Sequence, residues 1–212
     1  MSVKECGHDE EEKTKLHRRI FAGLLALIIL ILFIIFLIWL ILRPTKPSFI
    51  LQDATVYAFN VSSPNFLTTN FQITLSSRNP NGRIGIYYDR VDVYASYRNQ
   101  QITLPTLLPS SYQGHKDITV WSPFLFGNSV PIAPYFADQL NEDQLAGMVL
   151  VNIRINGRIR WKVGTFISGR YHLFVNCPAY INLGNKNNNN NNGVMVGPAV
   201  KYQLVQSCHV DV

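Results

Sequence analysis

Arg154, Arg158, Arg160 and Lys162 occupy even positions in a stretch whose odd positions, Val149 to Val163, are all apolar or glycine. In an extended chain alternate residues share one face, about 6.6 Å apart. The four cations, with Asn156 among them, therefore form a ladder opposite a core-facing row. Such a ladder suits recognition of repeated negative charge, as on an anionic polymer such as de-esterified pectin, or on anionic lipid headgroups. A solvated strand face, or an edge strand guarded by charge against aggregation, is the plainer account of the same residues. His115-Lys116-Asp117 reads as a polar turn before a strand ending at Trp121. Tyr87, Tyr88, Tyr94 and Tyr97, with Arg90 and Arg98, form an aromatic and basic region better explained by core packing than by binding.

No constellation points to catalysis. The chain has no Gly-x-Ser-x-Gly elbow, no His-Glu-x-x-His helix and no phosphate-cradling glycine loop. Asp89 and Asp92 are not an Asp-x-Asp metal motif, and no alternating strand–helix pattern suits a nucleotide-binding glycosyltransferase core. No enzymatic activity and no cofactor is expected. His172 and His209 lie near Cys177 and Cys208, but their spacing fits no zinc site.

The element that must carry this ladder is set by a different run. Ile20 to Leu42 holds no charged residue. At about 1.5 Å per residue it is long enough to cross a hydrocarbon core of about 30 Å. Its apolar residues surround the helix, unlike a core helix, and Arg43-Pro44 replaces the small residues of a signal-cleavage site. Lys13, Lys15, Arg18 and Arg19 precede the run, whereas only Arg43 and Lys46 follow closely. This bias predicts a cytosolic N-terminus and an exoplasmic C-terminal part, with Trp39 as an interfacial aromatic. Residues 1–19 are then a cytosolic tail, 20–42 the transmembrane helix, 43–48 a proline-stiffened linker, and 49–212 one exoplasmic domain.

That topology places Cys177 and Cys208 in an oxidising compartment, where they are expected to form one disulfide; two buried free thiols are the alternative. Closing their loop would stabilise the fold by about 3–4 kcal/mol. Asn60-Val61-Ser62 is a sequon for N-glycosylation. The chain carries 19 Lys and Arg against 13 Asp and Glu. The tail holds equal numbers of each, so the whole +6 excess lies in the exoplasmic part. A basic protein on that side meets wall polysaccharide or headgroups and not nucleic acid.

The exoplasmic part reads as strands. Phe71, Ile73 and Leu75 share one face; Ile84, Ile86 and Tyr88 share even parity, and Val91, Val93 and Ala95 odd parity. The slip predicts a bulge at Asp89-Arg90. Asn79-Pro80-Asn81-Gly82 reads as a turn. Asn156-Gly157 looks like a hairpin turn, but only one long strand from Met148 to Gly164 keeps the apolar row on one face. Further strands are expected at 50–59, 117–122, 166–175 and 198–210. Pro134–Gly147 is the sole helix candidate, and Asn187 to Asn192 reads as a loop tip. About seven strands without a helical layer predict an all-β sandwich behind a single transmembrane helix.

Several segments carry a resemblance: Asn79-Pro80-Asn81 with Ile84-Gly85-Ile86-Tyr87-Tyr88-Asp89, Tyr112-Gln113-Gly114-His115-Lys116, Arg160-Trp161-Lys162-Val163-Gly164, and Cys208-His209-Val210. Together with the anchor they resemble the plant harpin-induced, non-race-specific disease resistance-like (NHL) proteins. The resemblance implies a late-embryogenesis-abundant group 2 domain with a fibronectin type III-like architecture. It also implies a plasma-membrane protein of defence and stress response, without established catalysis or an agreed ligand, some members lying at plasmodesmata. The expected mode of action is through a protein partner or the cell wall; the alternative is a structural membrane–wall tether. Some relatives carry a glycolipid anchor, but Tyr202 to Val212 lacks the hydrophobic tail this needs, so the helix is expected to be the sole anchor.

Overall fold

The computed structural model describes residues 6–42, 44–62, 64–182, 193–196 and 199–212, with side chains except at 6–15, 38–42 and 193–196. Arg43 and the asparagine run 187–192 lie outside the described residues, as do the side chains of Cys6, Lys13, Lys15 and Trp39. The chain forms two compact units, residues 1–43 and 44–212.

The first unit is one helix, α1 (Cys6–Leu42). It begins within the charged segment, so most of the predicted tail continues the same helix. Leu16–Leu37 has a mean hydropathy of 3.4 and none of it is buried within the protein. By length and composition such a stretch is long and apolar enough to cross a membrane.

The second unit consists of two antiparallel sheets. Its strands are β1 (Ser48–Ser62), β2 (Phe66–Arg78), β3 (Ile84–Tyr97), β4 (Gln100–Gln101), β5 (Thr106–Leu108), β6 (Ser111–Gln113), β7 (Ile118–Trp121) and β8 (Phe124–Pro131). They continue with β9 (Met148–Val163), β10 (Phe166–Ile167), β11 (Tyr171–Asn182), β12 (Gly193–Val196), β13 (Ala199–Ser207) and β14 (His209–Asp211). The first sheet runs β12-β13-β1-β2-β7, with β8 also on β2; the second runs β14-β11-β9-β3-β4, with β5 and β6 on β3 and β10 on β9. Strand segments exceed the seven expected because the free sides of β2 and β3 are lined by short pieces.

One apolar cluster fills the space between the sheets, including Leu51, Phe71, Ile73 and Leu75 from the first and Ile86, Val93, Ile153 and Trp161 from the second. The parity reading of these strands holds. β9 is a single 16-residue strand through Gly157, and its residues alternate between buried and more exposed from Val149 to Trp161. The register of β3 against β9 shifts between Tyr88 and Arg90, at the predicted bulge. That bulge explains the glycine: a Cβ on Gly157 would lie 2.7 Å from the Arg90 carbonyl oxygen and 3.1 Å from Val91 Cα. Gly157 makes room for a neighbouring backbone and does not turn the chain.

The helix candidate is α2 (Pro134–Leu145), with Pro at its first turn and Ala137 and Leu140 buried. The strand expected at 166–175 is displaced. Phe166–Ile167 folds back on β9, and Ser168 holds the crossing by bonds to and from Trp161 (Ser168 N–H to Trp161 O 2.8 Å; Trp161 N–H to Ser168 Oγ 2.9 Å). The long strand β11 starts only at Tyr171. Cys177, buried on β11, is disulfide-bonded to Cys208, the residue between β13 of the first sheet and β14 of the second. The bond thus staples the two sheets where the chain crosses between them.

The end of the sandwich where β1 begins is organised by buried amides. Asn79 is fully buried; its Nδ2 donates to the carbonyls of Ile84 (2.7 Å) and Gly114 (2.8 Å), and its Oδ1 accepts from the Asn81 backbone (3.0 Å). Asn81 exchanges two 2.8 Å bonds with the backbone of Thr45. Gln113 donates to the carbonyls of Ser77 (2.7 Å) and Asp117 (3.1 Å) and accepts from the Tyr88 hydroxyl (3.0 Å). Tyr88 also meets Ser77 Oγ at 2.8 Å. Segment 79–82 is therefore a cross-sheet junction as well as a turn.

Burial pushes the Tyr88 phenol well above its ordinary value of 10.0, opposed in part by the Ser77 hydrogen bond. Because the unfolded state ionises first, it binds fewer protons than the native state above about pH 10, and stability falls as pH rises through that range. Tyr88→Phe is expected to lower stability at neutral pH by about 1–3 kcal/mol, by orphaning Gln113 and Ser77. It is also expected to flatten the alkaline decline, as read from unfolding midpoints across pH.

Candidate functional site

The outward face of the second sheet carries the cation ladder at its centre. β9 is hydrogen-bonded to β3 on one side and to β11 on the other, so the ladder is not a guarded edge. Register places its residues in rows across the sheet. His172 (β11), Arg158 (β9) and Arg90 (β3) form one row. Asp211 (β14), Phe174, Asn156 and Asp92 form the next, followed by His209, Asn176, Arg154 and Tyr94.

The four cations have different surroundings. Arg160 is bound by Asp89 through Nε (2.8 and 3.1 Å) and Nη2 (2.6 Å), and the Asp89 hydrogen bonds hold its guanidinium above the ordinary value. Arg170 also approaches Asp89, at 3.6 Å. Lys162 Nζ lies 5.7 Å from the Tyr87 ring centroid and 5.1 Å from that of Tyr112. Gly85 makes this cage possible, because a Cβ there would collide with the Tyr112 ring. Arg154 donates to Asn99 Oδ1. The Arg158 side chain, exposed, has no hydrogen-bond or ion-pair partner among the described residues.

Two adjoining hollows flank Phe174. One, of about 370 Å³, is lined by Arg90, Asp92, Asn156, Arg158, His172 and Phe174. The other, of about 310 Å³, includes Tyr94, Arg154, Asn156, Phe174, Asn176 and His209. Phe174 is 50 % exposed and stacks on His172, with centroids 6.0 Å apart and planes 11° from parallel. The face therefore offers an aromatic platform beside an unpaired guanidinium, with amide and imidazole donors around it. These groups can bind a polar anionic ligand; among the described residues no group of three or more His, Cys, Asp or Glu could hold a metal ion.

Sequence reasoning placed the cations on one face but missed His172, Phe174 and Asn176. The available signal was the buried parity of Leu173, Val175 and Cys177, which turns an aromatic residue outward between them. Of the tyrosines expected in the core, Tyr88 and Tyr97 are buried, while Tyr87 and Tyr94 are only partly buried. Residues 115–117 do form a turn, with Lys116 at φ 57° and Asp117 capping Ile118. Asn60 is exposed on β1, in the other sheet.

The chain is 61 % identical to NDR1/HIN1-like protein 1 of Arabidopsis thaliana over 213 residues, covering 99 % of this chain and all of that one. The chain belongs to the NDR1/HIN1-like family. It is also 58 % identical to NDR1/HIN1-like protein 12 of the same plant over the full length of both, and 41 % identical to NDR1/HIN1-like protein 26 over 77 % of this chain and 75 % of that one. The model of the late embryogenesis abundant protein family matches residues 74–177. In this NDR1/HIN1-like chain that segment contains Asn79, Asn81 and Gln113 of the buried junction, and all four ladder cations.

Asp89 is the principal neutraliser of this face. Asp89→Asn is expected to free Arg160 and Arg170 and to move elution from heparin-agarose to higher salt, whereas Asp53→Asn, which unpairs Lys201 on the other sheet, is expected to shift it less.

Proposed function

We propose that this protein is a single-pass plasma-membrane protein of plant defence and stress response, acting without catalysis by binding an acidic wall polysaccharide. Its N-terminus is cytosolic and its sandwich extracellular. Family membership supports the biological setting, and the exposed apolar helix supports the anchor. The observation that carries the binding reading is the juxtaposition of Arg158, lacking an ion pair, with half-exposed Phe174. An aromatic face accepts the C–H face of a sugar ring, while a guanidinium pairs its carboxylate. Because Arg160 is held by Asp89 and Lys162 lies over the Tyr87 and Tyr112 rings, the contact centres on one uronate at Arg158 and Phe174. An anchored domain that grips wall polymer also ties the wall to the membrane, so the tether reading is a consequence of the same contact.

The full chain in detergent micelles is expected to bind polygalacturonate at low salt and release it at high salt. Arg158→Ser is expected to weaken binding about tenfold, the effect of losing one charge-assisted contact of about 1.5 kcal/mol. Phe174→Ala is expected to weaken it at both salt concentrations. Unchanged binding in both variants would sink the proposal. The topology predicts a glycan at Asn60: on protein expressed in plant cells, Asn60→Gln is expected to abolish the mobility shift caused by endoglycosidase treatment. A shift that persists in this variant would reject the assignment.

A further inference from the structure

The two ends of the sandwich differ in chemistry. At the end where β1 begins, β9 folds back through Gly164 (φ +58°) and Thr165 into β10. This hairpin tip presents Phe166 at 69 % exposure and Ile167 at 41 %. Neither is in the apolar cluster between the sheets. Exposed Arg78, Arg83 and Lys116 lie at the same end, as the register Ser48–Arg78–Ile118 and Ile84–Val163 requires, whereas Arg170, before Tyr171 opposite Ile159, lies further along the sheet. The acidic groups here are engaged: Asp89 with Arg160 and Arg170, Asp117 in capping Gly114 and Ile118, and Asp211 with Lys46. Arg78 and Arg83 have no ion pair among the described residues. At the opposite end α2 carries Asp138, Glu142 and Asp143 and no lysine or arginine. Arg98 offsets only Asp143 there.

The basic end is also the end at which the chain arrives from α1. Thr45 is already bonded to Asn81, and α1 ends at Leu42. Three residues of chain reach at most about 11 Å. We propose that this end contacts the bilayer spanned by α1, with Phe166 and Ile167 entering the interfacial layer and Arg78, Arg83 and Lys116 meeting lipid phosphates. Aromatic residues favour that layer, and lysine and arginine side chains anchor at the level of the headgroup phosphates. The inference rests on the proposed anchoring by α1 and adds a second, non-covalent attachment.

The test uses the full chain in phosphatidylcholine–phosphatidylglycerol vesicles, with Cys6→Ser so that a nitroxide label attaches only at an introduced cysteine. Labels are placed singly at Thr165→Cys on the hairpin, Leu145→Cys at the far end and Ile29→Cys within α1. The expected result is a several-fold higher ratio of oxygen to nickel-chelate accessibility at 165 than at 145, with the label at 29 deep in the hydrocarbon. Adding Phe166→Ser and Ile167→Ser is expected to return the label at 165 to the ratio seen at 145. A label at 165 as aqueous as that at 145, with 29 deep, overturns the contact and leaves the anchor standing. A label at 165 that stays interfacial without Phe166 and Ile167 overturns the role of the tip. An aqueous label at 29 overturns the anchoring itself, and this inference with it.

Discussion

The buried amides at one end of the sandwich are the constraint on which the remaining geometry depends. A buried amide left without partners costs about 1–3 kcal/mol, so Asn79 and Gln113 tolerate only an arrangement that brings several backbone carbonyls to them together. Asn79 reaches the start of β3 and the turn after β6; Gln113 reaches the end of β2 and the turn before β7. Neither contact set forms unless both sheets have their native offset. The same cluster takes in Thr45 through Asn81, so the point where the chain joins the sandwich is fixed by the network that sets the sheet offset.

With the offset set, the outer face of the second sheet follows. The bulge in β3 moves Arg90 beside Arg158 and brings Asp89 to Arg160. Had the register run on without it, the two faces of β3 would exchange, and Tyr88 would leave the core. Gly157 is the complement of that bulge on β9. Charge on the face is thereby graded along one strand: Arg160 neutralised, Lys162 enclosed by tyrosines, Arg158 open. A bound polymer would meet affinity concentrated near Phe174 rather than spread along the ladder.

Much of this was legible in the sequence wherever the information is local. Period-two alternation identified β9 as a single strand, the parity slip located the bulge, and the apolar run identified α1. What could not be read is non-local. Whether β9 is an edge or a centre depends on which strands pair with it, and nothing in Met148–Val163 encodes the arrival of β11. The partners of Arg160 and the neighbours of Arg158 follow from that pairing, so the candidate site emerged as a row of cations without its aromatic platform. Asn79-Pro80-Asn81 carries ordinary turn chemistry, and the buried amide of Asn79 is satisfied by the Gly114 carbonyl, 35 residues away.

The outermost strands of the second sheet are short. Among the described residues, β14 has three residues at one side, and β4, β5 and β6 have two to three each at the other. A protein held in a bilayer meets copies of itself in two dimensions, with their axes roughly aligned, at encounter rates that no dilute solution reproduces. Under such crowding, long bare strand edges would zip molecule to molecule into ribbons. Pieces of two or three residues offer few hydrogen bonds for that growth, and the stretch of β11 beyond β14, residues 177–182, carries Pro178, which lacks a donor. The short flanking pieces thus guard the ladder-bearing sheet against edge-to-edge growth.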